Sequence, residues 1–348
     1  MQPHKGKGFQ LIGMLALCAL LYSGNARAED AAALAARLHT TAAASSIDTP
    51  GSKPWHLKMS VQLYNAKSKP TEQGTVEEWW AGPDLNRVTY TTPSYTGTQL
   101  RNKNGVFRTK SQTYEPAILR DVLEQVVHPI SHEEDIDQAK PDLRKEKFGQ
   151  VELECIMLDQ PLNNVAYPPM GLFPTFCLDP GKDNLRVSTG IGSLIFLRNH
   201  EGIFRGKFVA VDVLAQTSDQ PLVASAHIDS LTNMPLTDAD FVPGADLEPV
   251  MAKAVFLDTE FVKGRVLSKV EPRYPEISKQ NHVAGTVVMR AIIGYDGRIQ
   301  SLHLIPAPDA NLAIAAIKAV RNWTYKPYLL NGVPAEVETV ITVTFDLR

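Results

Sequence analysis

Few residues of this chain are arranged for catalysis or metal binding. His128 and His132 lie four residues apart and precede acidic residues, a spacing that could hold a metal ion on a helix. Pro129 lies inside that spacing and favours a solvated helix end instead. The sequence contains no G-x-S-x-G, H-E-x-x-H or phosphate-loop motif. We therefore expect no enzymatic activity, no metal and no cofactor.

The N-terminal residues are typical of an export signal. Lys5 and Lys7 precede an apolar run at 9–22, and Ala-Arg-Ala follows at 26–28. A basic start, a short apolar run and small residues before a cleavage point predict a signal peptide over residues 1–28. The alternative is an uncleaved inner-membrane anchor, for which the run is short. We expect a periplasmic protein.

Two cysteines remain after this cleavage, Cys155 and Cys177. An oxidising compartment favours a disulfide between them, which would close an irregular, proline-containing loop. The alternative is a pair of buried free thiols.

The bulk composition excludes some functions. A length of 348 residues predicts at least two domains, and 44% hydrophobic residues is ordinary for a globular protein. The net charge of −3 and the lack of a basic patch argue against nucleic-acid binding.

The most distinctive interaction chemistry belongs to the backbone of the last predicted strand. Apolar or β-branched residues alternate there, which predicts a strand with one buried face. We expect no later element to cover it, so that its free N–H and C=O groups can pair with a partner strand. The predicted partner-binding residues are Val337, Glu338, Thr339, Val340, Ile341, Thr342, Val343 and Thr344.

The periodicity elsewhere predicts an α+β fold. A leader or short helix at 29–50 precedes a β-rich domain at 51–245, in which short alternating strands predict an antiparallel, half-barrel-like sheet. One helix, with Pro116 at its start, interrupts these strands. A linker at 246–262 then leads to a small β-β-α-β module at 263–348, with a turn at Asp296-Gly297.

The middle domain resembles the LolA-like periplasmic lipoprotein carriers. The similar residues are the runs Glu-Trp-Trp-Ala-Gly-Pro-Asp at 78–84, Phe-Cys-Leu-Asp at 176–179 and Gly-Lys-Phe at 206–208. This resemblance implies an apolar inner face that could hold a lipid or lipoprotein. The alternative is that this face is simply the core of the domain.

The C-terminal module resembles the TonB C-terminal domain family. The matching residues include Pro272, Tyr274, Pro275, Gly285, Asp296, Gly297, Trp323 and Pro327. The resemblance implies binding of an extended receptor segment beside the last strand, and so a role in energy-coupled transport across the outer membrane. This sequence departs from the family's full transducers, because it lacks a long proline-rich spacer and its apolar run looks cleavable.

These observations lead to one main function and two alternatives. The main hypothesis is a periplasmic TonB-like protein that binds outer-membrane receptor segments by β-strand addition. The first alternative is a lipid or lipoprotein carrier that acts through the middle domain. The second is a homodimer formed by pairing of the same edge.

Overall fold

The computed structural model describes residues 30–111, 113–130, 133–159, 172–189, 194–217, 221–305 and 307–347. The predicted signal peptide and His132 lie outside the described residues. Among the described residues, no helix is long and apolar enough to cross a membrane.

The described residues form six α-helices, one 3-10 helix at Asp238–Phe241 and twenty-one strands. The helices are α1 Ala31–Ser45, α2 Ala117–Val127, α3 Glu134–Gln138, α4 Thr259–Lys263, α5 Glu276–Gln280 and α6 Ala310–Val320. The first twelve strands are β1 Trp55–Tyr64, β2 Pro70–Gly82, β3 Leu85–Thr91, β4 Thr96–Asn102, β5 Gly105–Thr109, β6 Lys140–Phe148, β7 Val151–Asp159, β8 Thr175–Leu178, β9 Leu185–Thr189, β10 Leu194–Phe204, β11 Lys207–Thr217 and β12 Leu222–Asn233. The others are β13 Leu247–Val250, β14 Val255–Phe256, β15 Val266–Ser268, β16 Gly285–Ile293, β17 Ile299–Leu304, β18 Thr324–Tyr325, β19 Tyr328–Leu330, β20 Val333–Ala335 and β21 Val337–Phe345.

One large antiparallel sheet accounts for most of the chain. Its thirteen strands lie in the order β13-β5-β4-β3-β2-β1-β12-β11-β10-β9-β8-β7-β6. Neighbours in the sheet are mostly neighbours in sequence, as is typical of antiparallel sheets. The prediction of a β-rich fold with a large antiparallel sheet is confirmed.

The inner face of this sheet is filled by α2. The helix places its apolar stripe, including Leu119, Val122 and Val126, in one cluster with Trp55 and Val213 of the strands. Trp55 stacks on Trp80 with 5.6 Å between ring centroids. Burial of such side chains stabilises by about 1.5–3 kcal/mol each, so α2 is a part of the core.

The alanine-rich stretch near the start is also packed. Asp30 caps α1, and Leu34 and Leu38 of this helix are fully buried against β7, β8 and β9.

On the other face of this part of the sheet, Cys155 and Cys177 are cross-strand partners joined by a disulfide. The predicted disulfide is therefore present.

A second, four-stranded sheet carries the C-terminal module. Its order is β14-β21-β16-β17, and α6 covers one face with residues such as Leu312 and Ala316. Asp309 caps α6 through Oδ1, which accepts from the N–H of Leu312 at 2.9 Å. The stretch expected to be a linker contains β13, β14 and α4, and β13 pairs with β5 of the large sheet.

The two sheets share apolar packing. Met157 of β7 and the neighbouring Leu172 and Phe173 belong to the same buried cluster as the core of the C-terminal module. On the side of α2 that faces away from the large sheet, Asp121 interacts with the guanidinium of Arg321. Strand β7 and helix α2 of the large sheet's domain both contact the C-terminal module. The linker is therefore not the sole connection between the two parts.

Glu78 is an ionisable group buried in the core of the large sheet. It lies between Val76 and Trp80 on β2, and its side chain points into the core. Its Oε2 has no hydrogen-bond partner among the described residues. Burial, and secondly the charge of Asp48, raise the pKa of Glu78 to about 8.

We predict that Glu78 makes stability depend on pH. Its pKa in the folded state lies above the ordinary 4.5, so the folded state binds a proton that the unfolded state releases. This group's contribution to the free energy of unfolding should therefore fall between about pH 4.5 and pH 8, by about 5 kcal/mol in total. Glu78→Gln should remove this contribution, so that the loss of stability between pH 5 and pH 8 in urea unfolding becomes smaller than in the wild type. Glu152→Gln, at an exposed position, is the control. The same slope in the wild type and Glu78→Gln would contradict the prediction.

We also predict that the disulfide stabilises the large sheet. It links residues 22 apart in sequence, so its loss should lower the free energy of unfolding by about 3 kcal/mol. The double variant Cys155→Ala/Cys177→Ala should show this loss in urea unfolding. Added reductant should destabilise the wild type and leave the variant unchanged; equal stability of the oxidised wild type and the variant would refute the prediction.

Candidate partner-binding edge

The predicted partner-binding strand is β21, and the small sheet holds it firmly on one side. It pairs antiparallel with β16 along its whole length, from Val337 opposite Ile293 to Phe345 opposite Gly285. Alternate side chains are buried against α6, and Thr342 and Thr344 are exposed on the other face. A strand held in this way presents its remaining backbone groups in a fixed geometry.

The hydrogen-bonding groups of β21 alternate between its two sides. In an antiparallel pair, every second residue directs both its N–H and its C=O to the same neighbour. The carbonyls of Glu336 and Glu338 face away from β16, because they accept bonds from Val255 and Leu257. By the same alternation, Val340, Thr342 and Thr344 face away from β16 as well.

Part of this outer side is covered by the chain itself. The short strand β14 runs parallel to β21, with Val255 opposite Val337 and Phe256 opposite Glu338. This differs from the expectation of an uncovered strand. The reason is that the residues expected to form a linker have backbone groups of their own to pair, and β21 offers the nearest partner.

The second half of the outer side has no strand partner. Within the described residues, no strand pairs with this side of β21 beyond Glu338, although α4 lies against β21. The carbonyl of Val340 accepts from Oγ1 of Thr259 at 2.8 Å, and Thr342 and Thr344 follow. The free edge is therefore shorter than predicted and centred on these two threonines.

Tyr274 holds the far end of β21. Its ring meets Phe345 edge to face at 5.4 Å, and its hydroxyl donates to the carbonyl of Val283 at 2.7 Å. Pro272 and Pro275 flank it, and Pro275 is the N-cap residue of α5. These contacts fix the end of the strand that carries the free edge.

The turn at Asp296-Gly297 holds the other end of the sheet. Gly297 has φ +75°, and a Cβ there would lie 1.9 Å from the carbonyl oxygen of Tyr325. This close approach lets the N–H of Tyr325 donate to the carbonyl of Gly297 at 2.7 Å. Only glycine satisfies both the conformation and the space.

Comparison with known families agrees with this geometry. Residues 270–347 match the family model of the Gram-negative bacterial TonB protein C-terminal domain. Two curated relatives are TonB proteins: one from Vibrio cholerae serotype O1 is 26% identical over 107 residues, and one from Klebsiella pneumoniae is 33% identical over 85 residues. These matches cover 30% and 24% of this chain, and 43% and 32% of the relatives. The chain thus spans less than half the length of the curated relatives that it matches.

Solved structures similar to a larger share of the chain are more distant. A LolA superfamily protein from Nitrosomonas europaea has a TM-score of 0.40 at 10% identity, with 59% of this chain and 97% of that chain covered. A putative outer-membrane lipoprotein-sorting protein domain from Vibrio parahaemolyticus has a TM-score of 0.35 at 12% identity, with 60% and 94% covered.

The remaining residues that match the TonB C-terminal family lie away from the free edge of β21. Trp323 is buried, and its indole N–H donates to the carbonyl of Val270 at 2.8 Å. Gly285 begins β16 with φ +143° beside Pro308. Pro327 is exposed, and its carbonyl accepts from Arg265 at 3.3 Å. These residues position the strand, and none of them lies on its free edge.

The solvent face of the TonB-like module is polar near the edge. Arg290 and Glu338 approach to 3.7 Å, and the hydroxyls of Thr286 and Thr344 lie 3.1 Å apart. The exposed ion pair contributes little to stability, about 0–1 kcal/mol. Glu336, just before β21, is less exposed, and burial raises the pKa of its carboxyl.

Sequence reasoning missed the residues that share the edge, from Val255 to Thr259. The sequence pattern assigns these residues to a linker, because the apolar run Val-Phe-Leu is too short for an alternation of apolar and polar residues to be recognised. The available signal was the short apolar run Val-Phe-Leu at 255–257, whose β-branched and aromatic residues are typical of a short strand. No group of three or more potential metal ligands was found within the ranges that the structure describes.

We predict that Gly297→Ala destabilises the TonB-like module by more than about 2 kcal/mol, because the new Cβ would both strain the backbone and collide with Tyr325. Gly332→Ala is a matched control: Gly332 has φ +83°, but nothing lies within 4 Å of a Cβ there. That variant should lose only about 1 kcal/mol, the cost of the left-handed conformation. Thermal unfolding of both variants measures the difference, and equal losses would exclude the proposed collision.

Proposed function

We propose that this protein binds an extended segment of an outer-membrane receptor by adding it as a strand beside β21. The observation that carries this proposal is the free outer side of β21 at Thr342 and Thr344, in a module that matches the TonB C-terminal family. Main-chain hydrogen bonds would provide most of the affinity, as in other complexes formed by strand addition.

The rigid inner side of the strand supports the same proposal. Because β16 and α6 hold β21 in place, its free N–H and C=O groups need no ordering when a partner arrives. Preorganisation of this kind lowers the entropy cost of binding. The exposed side chains of Thr342 and Thr344 are polar, so the edge exposes little apolar surface when no partner is bound.

We place this activity in the periplasm, where an exported chain would meet the periplasmic segments of outer-membrane receptors. The curated TonB relatives match only 30% and 24% of this chain, and the family model matches residues 270–347. The proposal therefore concerns binding first. A contribution to energy-coupled transport would be a second step, which uptake measurements in cells that carry or lack the protein would test.

The carrier alternative requires a movement that the main proposal does not. The apolar stripe of α2 fills the inner face of the large sheet, so a lipid or lipoprotein would have to displace this helix. The core interpretation of that face is accordingly the simpler one. A homodimer through β21 would use the same edge as a receptor segment, and solution mass measurement distinguishes the two.

We predict that Thr342→Pro weakens receptor binding. Proline removes the N–H of residue 342, which faces the free side, and leaves the donors that pair with β16 intact. Loss of this bond and the obstruction by the ring should weaken binding at least about tenfold. Peptides from the periplasmic N-termini of outer-membrane receptors would be titrated by calorimetry.

Thr342→Ala is the matched control, because it keeps the backbone donor and changes only the exposed side chain. It should bind as the wild type does. Undiminished binding by a folded Thr342→Pro protein would refute strand addition at this edge.

A further inference from the structure

The occupied half of the β21 edge has the form of a bound strand. The N–H of Val255 donates to the carbonyl of Glu336 at 2.8 Å, and the N–H of Leu257 donates to the carbonyl of Glu338 at 2.9 Å. Oγ1 of Thr259 then donates to the carbonyl of Val340 at 2.8 Å. Three successive outward carbonyls are therefore occupied by a parallel segment of the same chain.

We infer that residues 255–259 are an exchangeable internal strand, which a partner segment displaces to obtain the whole edge of β21. This inference rests on the proposed function of that edge. The partner would run parallel to β21, donate alternate N–H groups to Glu336 and Glu338, and place a hydroxyl side chain near the carbonyl of Val340. It would thus resemble the segment it replaces.

The burial of the internal strand indicates that it is held weakly. β14 is only two residues long, and the side chain of Phe256 is 67% exposed. Val255 and Leu257 are half-buried. Each hydrogen bond contributes about 0.5–1.5 kcal/mol net. The two backbone bonds and the side-chain bonds of Thr259 and Thr339 can therefore be exchanged for equivalent bonds of a partner.

The internal strand also has an advantage that a partner must overcome. It is covalently attached, and its effective concentration at the edge is therefore high. The flanking contacts keep it near: the N–H of Met251 donates to the carbonyl of Pro334 at 2.9 Å, and Thr339 Oγ1 donates to the carbonyl of Leu257 at 2.9 Å. The apparent affinity of a partner is proportional to the fraction of molecules in which the edge is vacant. The internal strand lowers this fraction and therefore lowers the apparent affinity.

The free half of the edge supplies a starting point for the exchange. Thr342 and Thr344 lie next to the occupied half, so a partner can pair there first and extend toward Val337 as β14 leaves. Hydrogen bonds lost by β14 are replaced one at a time by those of the partner. The exchange therefore never leaves three buried carbonyls unpaired at once.

The test uses the full chain and a synthetic peptide of its residues 253–260 as the probe. In Val255→Pro/Leu257→Pro, both N–H donors of the internal strand are absent, so the edge should be vacant. Peptide affinity, measured by calorimetry, should rise about tenfold over the wild type. Phe256→Ser is the matched control, since its side chain is exposed and its N–H points away from β21; it should bind as the wild type does.

Two outcomes separate this inference from the proposed function. Tighter binding of the 253–260 peptide by the folded double variant, with no receptor peptide bound by any form, supports the internal strand and refutes the receptor proposal. Equal peptide affinity of the wild type and the folded double variant overturns the inference, whatever the receptor peptides do.

A measurement on the wild type removes the dependence on variant folding. Amide hydrogen exchange of Val255 and Leu257 should accelerate when a saturating receptor peptide is bound, because both donors lose their partners. Unchanged exchange at both amides in the saturated complex would also overturn the inference.

Discussion

The pairing of β21 with β16 is the interaction on which the candidate site depends. Nine residues of β21 are in register with β16, and the alternate side chains are buried under α6. This fixes which backbone groups point outward. An edge built in this way has a defined direction and spacing, so it can select a partner strand by register as well as by charge.

The segment between the two sheets contributes to both of them. β13 extends the large sheet beside β5, and β14 follows within a few residues beside β21. Tyr295, in the C-terminal module, donates its hydroxyl to the carbonyl of Met251 between these strands. The stretch of chain that connects the edge of β21 to the large sheet is therefore short and partly paired.

Helix α2 links the two parts in a second way. Its apolar stripe is in the core of the large sheet, and its polar face meets the C-terminal module near Arg321. Burial, opposed by Arg120 and Arg321, raises the pKa of Asp121 on this face to about 6. Above that pH the carboxylate attracts both guanidinium groups, whereas protonation removes the attraction. The contact between the modules thus includes a group that titrates near neutral pH.

The sequence determined the elements whose pattern is local. The alternation in 337–345, the turn residues Asp296-Gly297 and the cap Asp309 correspond to β21, the hairpin and the start of α6. β6 was missed because its outward residues are lysines and acids that do not alternate with apolar ones, as is common in edge strands.

Only the tertiary structure decided which side of β21 is free. The N–H and C=O groups of the backbone are the same for every residue type except proline, which lacks the N–H. The side-chain pattern therefore does not show which neighbouring strand pairs with them. That Val255 pairs with β21, and leaves Thr342 and Thr344 available, follows from the folding of distant segments together.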